Sequence, residues 1–303
     1  MNSKKITYFT SKMGETIEFR GARMLRAEAK ALQDIERIAE REFSLTQKVQ
    51  WPTEMGFSIS EGHVHALGCY ECELRVLPES IGNLKLLKKL YLDMNSLSNV
   101  PKSVGNLISL RILRISDNKL TKLPKSIGKL RNLIDLGAIR NTISHLPDSI
   151  GNLTNLRDLN LSNNEISLLP DSIGNLKNLE YIGLDYNRLE HLPDSVGALT
   201  TLKDLHLREN RLKDLPDSLG SLRNLEFLDL GGNNLSSLPE TFSSLISLER
   251  IKLDQNPFTS FPQVLYNIPF LEYFTIDKDQ NQKFRTQFSK LEERGVENFS
   301  RLK

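Results

Sequence analysis

Residues 156–178 read LRDLNLSNNEISLLPDSIGNLKN, and variants of this text recur every 23 residues in both directions. Nine of the twelve prolines mark the period, from Pro78, Pro101 and Pro124 to Pro239 and Pro262. Asparagine keeps the same step from Asn95 to Asn256, and glycine from Gly82 to Gly220, where the series lapses to Ser243. Three residue types in phase over such a length mean stacked copies of one supersecondary unit. About ten units can be laid down, starting at Val64 and then at Leu87, Leu110 and every 23 residues to Leu271.

Each slot of the unit has a mechanical task. In LxxLxL, leucines alternate with polar residues, which predicts a short strand with one buried face. One strand per unit makes a parallel sheet, and parallel strands require a crossover connection. The segment LPxSIGNL supplies it: proline suits the first turn of a short helical piece, and glycine is expected to loosen its end. Leu74, Leu77, Ile81 and Leu84, with their equivalents in later units, should face inward from the opposite wall. The asparagine of each unit is then buried, and a buried amide must find partners. A ladder of asparagines bonding backbone groups of adjacent coils is expected.

The unit LxxLxLxxNxLxxLPxSIGNLxN resembles the leucine-rich repeat. In this form it is similar to the 23-residue repeats of plant Ras-group, Ras-suppressor-like and LAP-type intracellular scaffolds, and of related bacterial and archaeal proteins. The resemblance covers about two thirds of the chain. It implies an α/β fold, a right-handed horseshoe solenoid with a concave parallel sheet that binds proteins. Through the Ras-related members it further implies a small GTPase or another signalling protein as partner. No enzyme or signalling domain is expected beside the repeats.

The two ends depart from the repeat. From Gly21 to Phe43, Met24, Leu25, Ala31, Leu32, Ile35, Ile38, Ala39 and Phe43 fall on one side of a helical wheel. Residues 1–63 are thus expected to cap the solenoid (64–279) with a helix and a hairpin. That hairpin would be WPTEMGFSISEGHV, with Trp51 in the core of the cap. Asp279 takes the ladder position of the last unit, and Phe284, Phe288 and Leu291 predict a helical cap over 280–303.

Composition limits the function. Forty basic and 38 acidic side chains leave a net charge of +2, which argues against a nucleic-acid partner. No apolar run reaches the ~20 residues of a membrane span, and MNSKKITYFTSKMGE lacks a signal-peptide core. A cytoplasmic monomer is expected. Cys69 and Cys72 form a CxxC, but they fall on a leucine slot and on the ladder slot, so they read as structural. His63 and His65 have no third ligand in reach, and no cofactor or metal is expected. No phosphate loop, nucleophile elbow or metalloprotease motif occurs, and the chain reads as a non-enzyme.

Candidate binding residues are the strand positions that the framework leaves free. One patch is Tyr91, Ile112, Arg114 and Ile139, with Gly137 leaving a hollow beside them. The other is Tyr181, Asp185, Tyr186, His206, Arg208 and Phe227 around Gly183, with Arg250 next in the column. Aromatics and arginine are the usual anchors of protein interfaces. Two further functions fit the same sequence: a sensing or regulatory fragment that controls a separate enzyme, and a structural protein that self-assembles.

Overall fold

The computed structural model describes residues 15–298. The expectations for residues 1–14, and for 299–303 of the C-terminal cap, lie outside the described residues. Strands β1 (Thr16–Phe19) and β2 (Ala22–Leu25) form an antiparallel hairpin, followed by helix α1 (Arg26–Ala39). The helix is therefore shorter than the wheel pattern suggests, and Met24 and Leu25 belong to a strand. Two residues with positive φ, Arg20 at 49° and Gly21 at 77°, close the hairpin between Phe19 and Ala22, as two-residue turns between twisted strands require.

One face of α1 buries Ala29, Ala31, Leu32 and Ile35 against the first coil of the solenoid. Polar bonds fix it there. Glu28 is 2% exposed and accepts from His63 Nδ1 and from the Val64 N–H, both at 2.9 Å. Asp34 accepts the Ser80 hydroxyl at 2.7 Å. A helix so pinned covers apolar coil ends that would otherwise meet water.

Among the described residues the main sheet has thirteen strands. It begins with β3 (Ser44–Leu45), β4 (Gly56–Ser60) and β5 (His63–Gly68), the last two being the expected antiparallel hairpin. From β5 onward each neighbour is parallel: β6 (Lys89–Tyr91), β7 (Ile112–Arg114), β8 (Asp135–Gly137) and β9 (Asp158–Asn160). The series continues through β10 (Tyr181–Gly183), β11 (Asp204–His206), β12 (Phe227–Asp229), β13 (Arg250–Lys252) and β14 (Tyr273–Thr275). Register advances by 23 residues per strand, so equivalent side chains stand in columns. Helices α2 (Lys278–Lys283) and α3 (Arg285–Glu292) close the far end, and β15 (Glu297–Asn298) adds a last parallel strand. Asp279 sits exposed in α2, so the ladder ends one unit earlier than the sequence suggests; Gln280 instead bonds the Asn256 carbonyl.

The crossovers are five-residue 3-10 turns such as Asp148–Asn152, each entered from a proline. Their glycines have a different task from the one the sequence suggests. A Cβ on Gly151 would lie 2.3 Å from the Ser172 carbonyl oxygen and 2.8 Å from the Ser172 Cβ of the next coil. Glycine is there because stacked coils touch through backbone. Gly151→Ala is expected to cost about 1–3 kcal/mol, the usual range for overpacking, read as a lower denaturation midpoint. An unchanged midpoint would mean that the coils spread freely.

Within the coil the ladder is as the repeat implies. Asn164 is 8% exposed; its Nδ2 donates to the carbonyls of Ala138 and Leu161 at 2.9 Å, and its Oδ1 accepts the Ile143 N–H at 3.0 Å. A second amide ladder runs along the surface, with Asn132, Asn155, Asn178 and Asn224 each bonding the carbonyl 24 residues back. Cys69 and Cys72 are buried free thiols. Burial pushes the Cys69 thiol well above its ordinary range and that of Cys72 up to about 11, so neither is a reactive thiolate.

Candidate functional site on the sheet face

Three features of the coil decide what the sheet face presents. Strand residues alternate, so every second side chain points away from the core. The residue before each ladder asparagine is left-handed: φ is 56° at Met94, 53° at Asp117, 50° at Arg140, 58° at Asn163, 55° at Tyr186 and 54° at Glu209. Asparagine and glycine suit that conformation, as at Asn163 and Gly232; tyrosine and methionine do not. Lastly, the coils are rigid, because the ladder and the strand bonds tie each to the next.

In the second patch the rings form a row. Tyr181 and His206 have centroids 5.1 Å apart, and His206 and Phe227 4.9 Å apart, across three neighbouring strands. The Arg250 guanidinium lies 5.0 Å from the Phe227 centroid and the Lys252 ammonium 5.2 Å, a cation–π arrangement that continues the row. Phe227 is thereby 7% exposed, which makes it a buried support and not the exposed anchor the sequence suggests. Tyr181 keeps a half-buried hydroxyl group, which accepts from Asn160 Nδ2 at 3.3 Å. Burial, with Asp185, Asp158 and Asp204 nearby, pushes that hydroxyl up to about 12, so it stays a neutral donor. Tyr186 is 51% exposed.

Arg208 is likewise less available than expected. Its guanidinium lies over Gly231 and reaches Asp254 Oδ2 and Gln255 Oε1, each at 2.9 Å, so it clasps coils two repeats apart. Burial disfavours the Asp254 anion, but the Thr275 hydroxyl and Arg208 outweigh it and hold the carboxyl below its ordinary range. Asp185 Oδ1 accepts the Arg208 N–H at 2.8 Å, and His206 Nδ1 stands 3.7 Å from its Oδ2. Gly183 leaves room that Asn160 fills, since a Cβ there would meet the Asn160 Oδ1 at 2.7 Å.

The first patch is rearranged in the same sense. Tyr91 is 7% exposed, Ile112 packs against it, and the Arg114 side chain occupies the space beside Gly137 while pairing with Asp135. The hollow lies elsewhere. A pocket of about 480 Å³ opens over Tyr91, Arg114 and Ile139, bounded by Trp51 and Tyr70 from the N-terminal end. Trp51 is 59% exposed and meets the Tyr70 ring edge-on at 5.8 Å, so it is a rim residue and not part of the cap core. Asp93 lines this pocket at 4% exposure; its Oδ1 accepts the Ser116 N–H at 2.9 Å. Burial pushes the Asp93 carboxyl above its ordinary range, against the opposing pull of Ser116.

That shift has a sign. A raised folded pKa means the native state holds a proton that the unfolded chain releases, so stability is lost as pH rises through the window above the ordinary value. Asp93→Asn removes the loss. The variant is expected to melt above wild type at pH 7, with the advantage shrinking toward pH 3, below the ordinary carboxylate value of about 4. A pH-independent difference in melting temperature would contradict this.

Among the described residues, no group of three or more His, Cys, Asp or Glu side chains could hold a metal ion. His63 is bound to Glu28, and His191 pairs with Asp214 at 2.9 Å. No described helix is long and apolar enough to cross a membrane.

Comparison with known proteins places the fold. The leucine-rich repeat region family matches residues 135–212 and 194–294, together more than half of the chain, and the Leucine Rich Repeat family matches residues 109–130. The chain belongs to the leucine-rich-repeat family. Among solved structures, a leucine-rich-repeat protein of Leptospira interrogans is 31% identical with a TM-score of 0.66, over 82% of this chain and 64% of that one. The PEPR1-AtPEP1 structure is 29% identical with a TM-score of 0.63, over 73% of this chain and 32% of that one. A TDR receptor is 30% identical with a TM-score of 0.64, over 71% and 40% respectively. The chain thus spans less than two thirds of each of these proteins. No curated protein matches it significantly. Leucine-rich-repeat domains generally serve as protein-interaction scaffolds with no catalytic part, their extended concave sheet being the binding surface.

Proposed function

We propose that this protein is a non-catalytic interaction module that binds a protein partner on its sheet face, centred on Tyr181, Tyr186 and His206. The observation that carries this reading is the ring row together with Tyr186. The solenoid needs none of these side chains at their slots, which hold Asp135, Arg140 and Gly137 three to two strands away. A tyrosine in the left-handed conformation is disfavoured locally, and it stands 51% exposed. The left-handed slot itself recurs from coil to coil and belongs to the frame, so what sets Tyr186 apart is the large exposed ring placed there. Tyrosine also suits the task, giving a large amphipathic contact at low cost in side-chain entropy.

The partner we propose is a small GTPase or another signalling protein, from the likeness of the repeat to Ras-related scaffolds. The protein would act as a cytoplasmic monomer. The N-terminal edge of the main sheet supports the monomer, since β3 is two residues long and offers little for edge-to-edge pairing. The test is affinity capture with wild-type protein and with Tyr181→Ala/Tyr186→Ala/His206→Ala as control, followed by titration of purified GTPases in both nucleotide states. A GTPase that binds wild type and not the control is the expected result. Equal capture by both proteins would overturn the choice of surface.

A further inference from the structure

The pocket beside Trp51 has a chemistry that narrows the partner, given the reading of the sheet face as a protein-binding surface. Its walls are apolar: Trp51, Tyr70 and Met94, the last held at φ 56° and 43% exposed. Its charged groups are the carboxylates of Asp93, Asp117 and Asp135 against the single guanidinium of Arg114. Arg140 reaches Asp117 at 3.5 Å from beyond the lining, and counting it still leaves one negative charge without a balance.

Two buried oxygens sharpen the point. Asp93 Oδ2 and Asp135 Oδ1 have no hydrogen-bond partner, although Asp93 is 4% exposed. A buried anionic oxygen without a donor is costly, and a cation that supplied donors would remove the cost. A metal ion does not fit, for these carboxylates do not converge: among the described residues no three His, Cys, Asp or Glu side chains are placed to hold one. An ammonium is a compact, strongly hydrated charge that gains less from ring walls than a guanidinium does. A guanidinium is weakly hydrated, stacks on aromatic faces and presents five donors in one plane, so it can serve two carboxylates at once.

We propose that this pocket receives an arginine side chain of the partner protein, its guanidinium packed against the Trp51–Tyr70 ring pair and directed at Asp93 and Asp135. Arg114 then plays a positioning part: paired with Asp135, it holds that carboxylate in the pocket wall. Tyr91 supplies a packed floor, being 7% exposed.

Trp51 is the only tryptophan of the chain, so its fluorescence reports occupancy of the pocket directly. The probe is the blocked tripeptide Ac-Gly-Arg-Gly-NH2, with its citrulline and lysine analogues, titrated into full-length protein. A saturable fluorescence change is expected with arginine, at least about tenfold weaker with neutral citrulline and at least about threefold weaker with lysine. Asp93→Asn should weaken arginine binding at least tenfold with an unchanged circular dichroism spectrum. Trp51→Ala, at a side chain already 59% exposed, should do the same by calorimetry, which guards against a folding defect in the first variant. Equal binding of citrulline, tighter binding of lysine, or no saturable change below the concentration that unfolds the protein would each overturn the proposal. If the captured partner is lost by the Tyr181/Tyr186/His206 variant yet kept by both pocket variants, the pocket inference fails alone. If the sheet-face variant keeps the partner, the underlying reading fails first.

Discussion

Asn164→Leu is expected to destabilise the protein by about 3–4 kcal/mol, a large share of the 5–15 kcal/mol that typically separates folded from unfolded. The reason is specific. Leucine is close to asparagine in size but cannot accept the Ile143 N–H, which lies in the buried interior and has Asn164 Oδ1 as its ladder partner at 3.0 Å. Stranding such a donor costs about 1–3 kcal/mol by itself. The carbonyls of Ala138 and Leu161 suffer less, since Asn141 and Asn187 also reach them at 3.2 and 3.1 Å. They lose their shorter bonds nonetheless, both at 2.9 Å. Because each coil touches only its neighbours, the damage should be local, with faster amide exchange at residues 138–166 than at 225–256. The denaturation midpoint measures the total and hydrogen exchange its location. A midpoint equal to wild type would mean that the ladder does not hold the stack.

The ladder, the strands and the crossovers were all legible in the sequence because each rests on a residue type that only one environment accommodates. Asparagine repeated inside an apolar pattern must be buried and bonded, and alternating leucines must face one core. Cys72 was legible for the same reason: it fills the ladder slot, where its N–H is bonded by Asn95 Oδ1 at 3.1 Å. The glycines were placed correctly and explained wrongly, because the contact they permit lies 23 residues along the chain, outside any local turn rule. The hairpin ahead of α1 was missed because Met24 and Leu25 satisfy a helical wheel as well as a strand. The two-residue turn Arg20-Gly21 was the signal that separates the two.

The site was legible only as columns. Spacing places Tyr181, His206 and Phe227 on adjacent strands, yet it cannot tell that Phe227 and Tyr91 are covered by their neighbours, or that Arg208 is spent on Asp254. Burial within a column depends on which side chains lean across it, and Arg250 and Lys252 lean over Phe227. Nor could spacing place Trp51, which comes to the sheet from the cap. The left-handed slot was readable in principle, since Asn163 and Gly232 occupy it in two coils and mark what backbone it demands.

The second large effect concerns binding. Truncating Tyr181, Tyr186 and His206 together to alanine should weaken the partner by about 2–4 kcal/mol, roughly thirty- to a thousandfold, since aromatic anchors dominate such interfaces. Phe227 and Arg208 are left in place because one is buried and the other clasps three coils, so folding stays close to wild type. The matched control changes three exposed residues of the crossover side, Asp171, Lys177 and Asp194, to alanine. The direct measurement is a titration of both triple variants and wild type against the captured partner, with melting curves of all three proteins. The sheet-face variant should lose at least thirtyfold in affinity while the crossover variant stays within threefold of wild type. Loss of binding in the crossover variant, with the sheet-face variant binding as wild type does, would contradict the account.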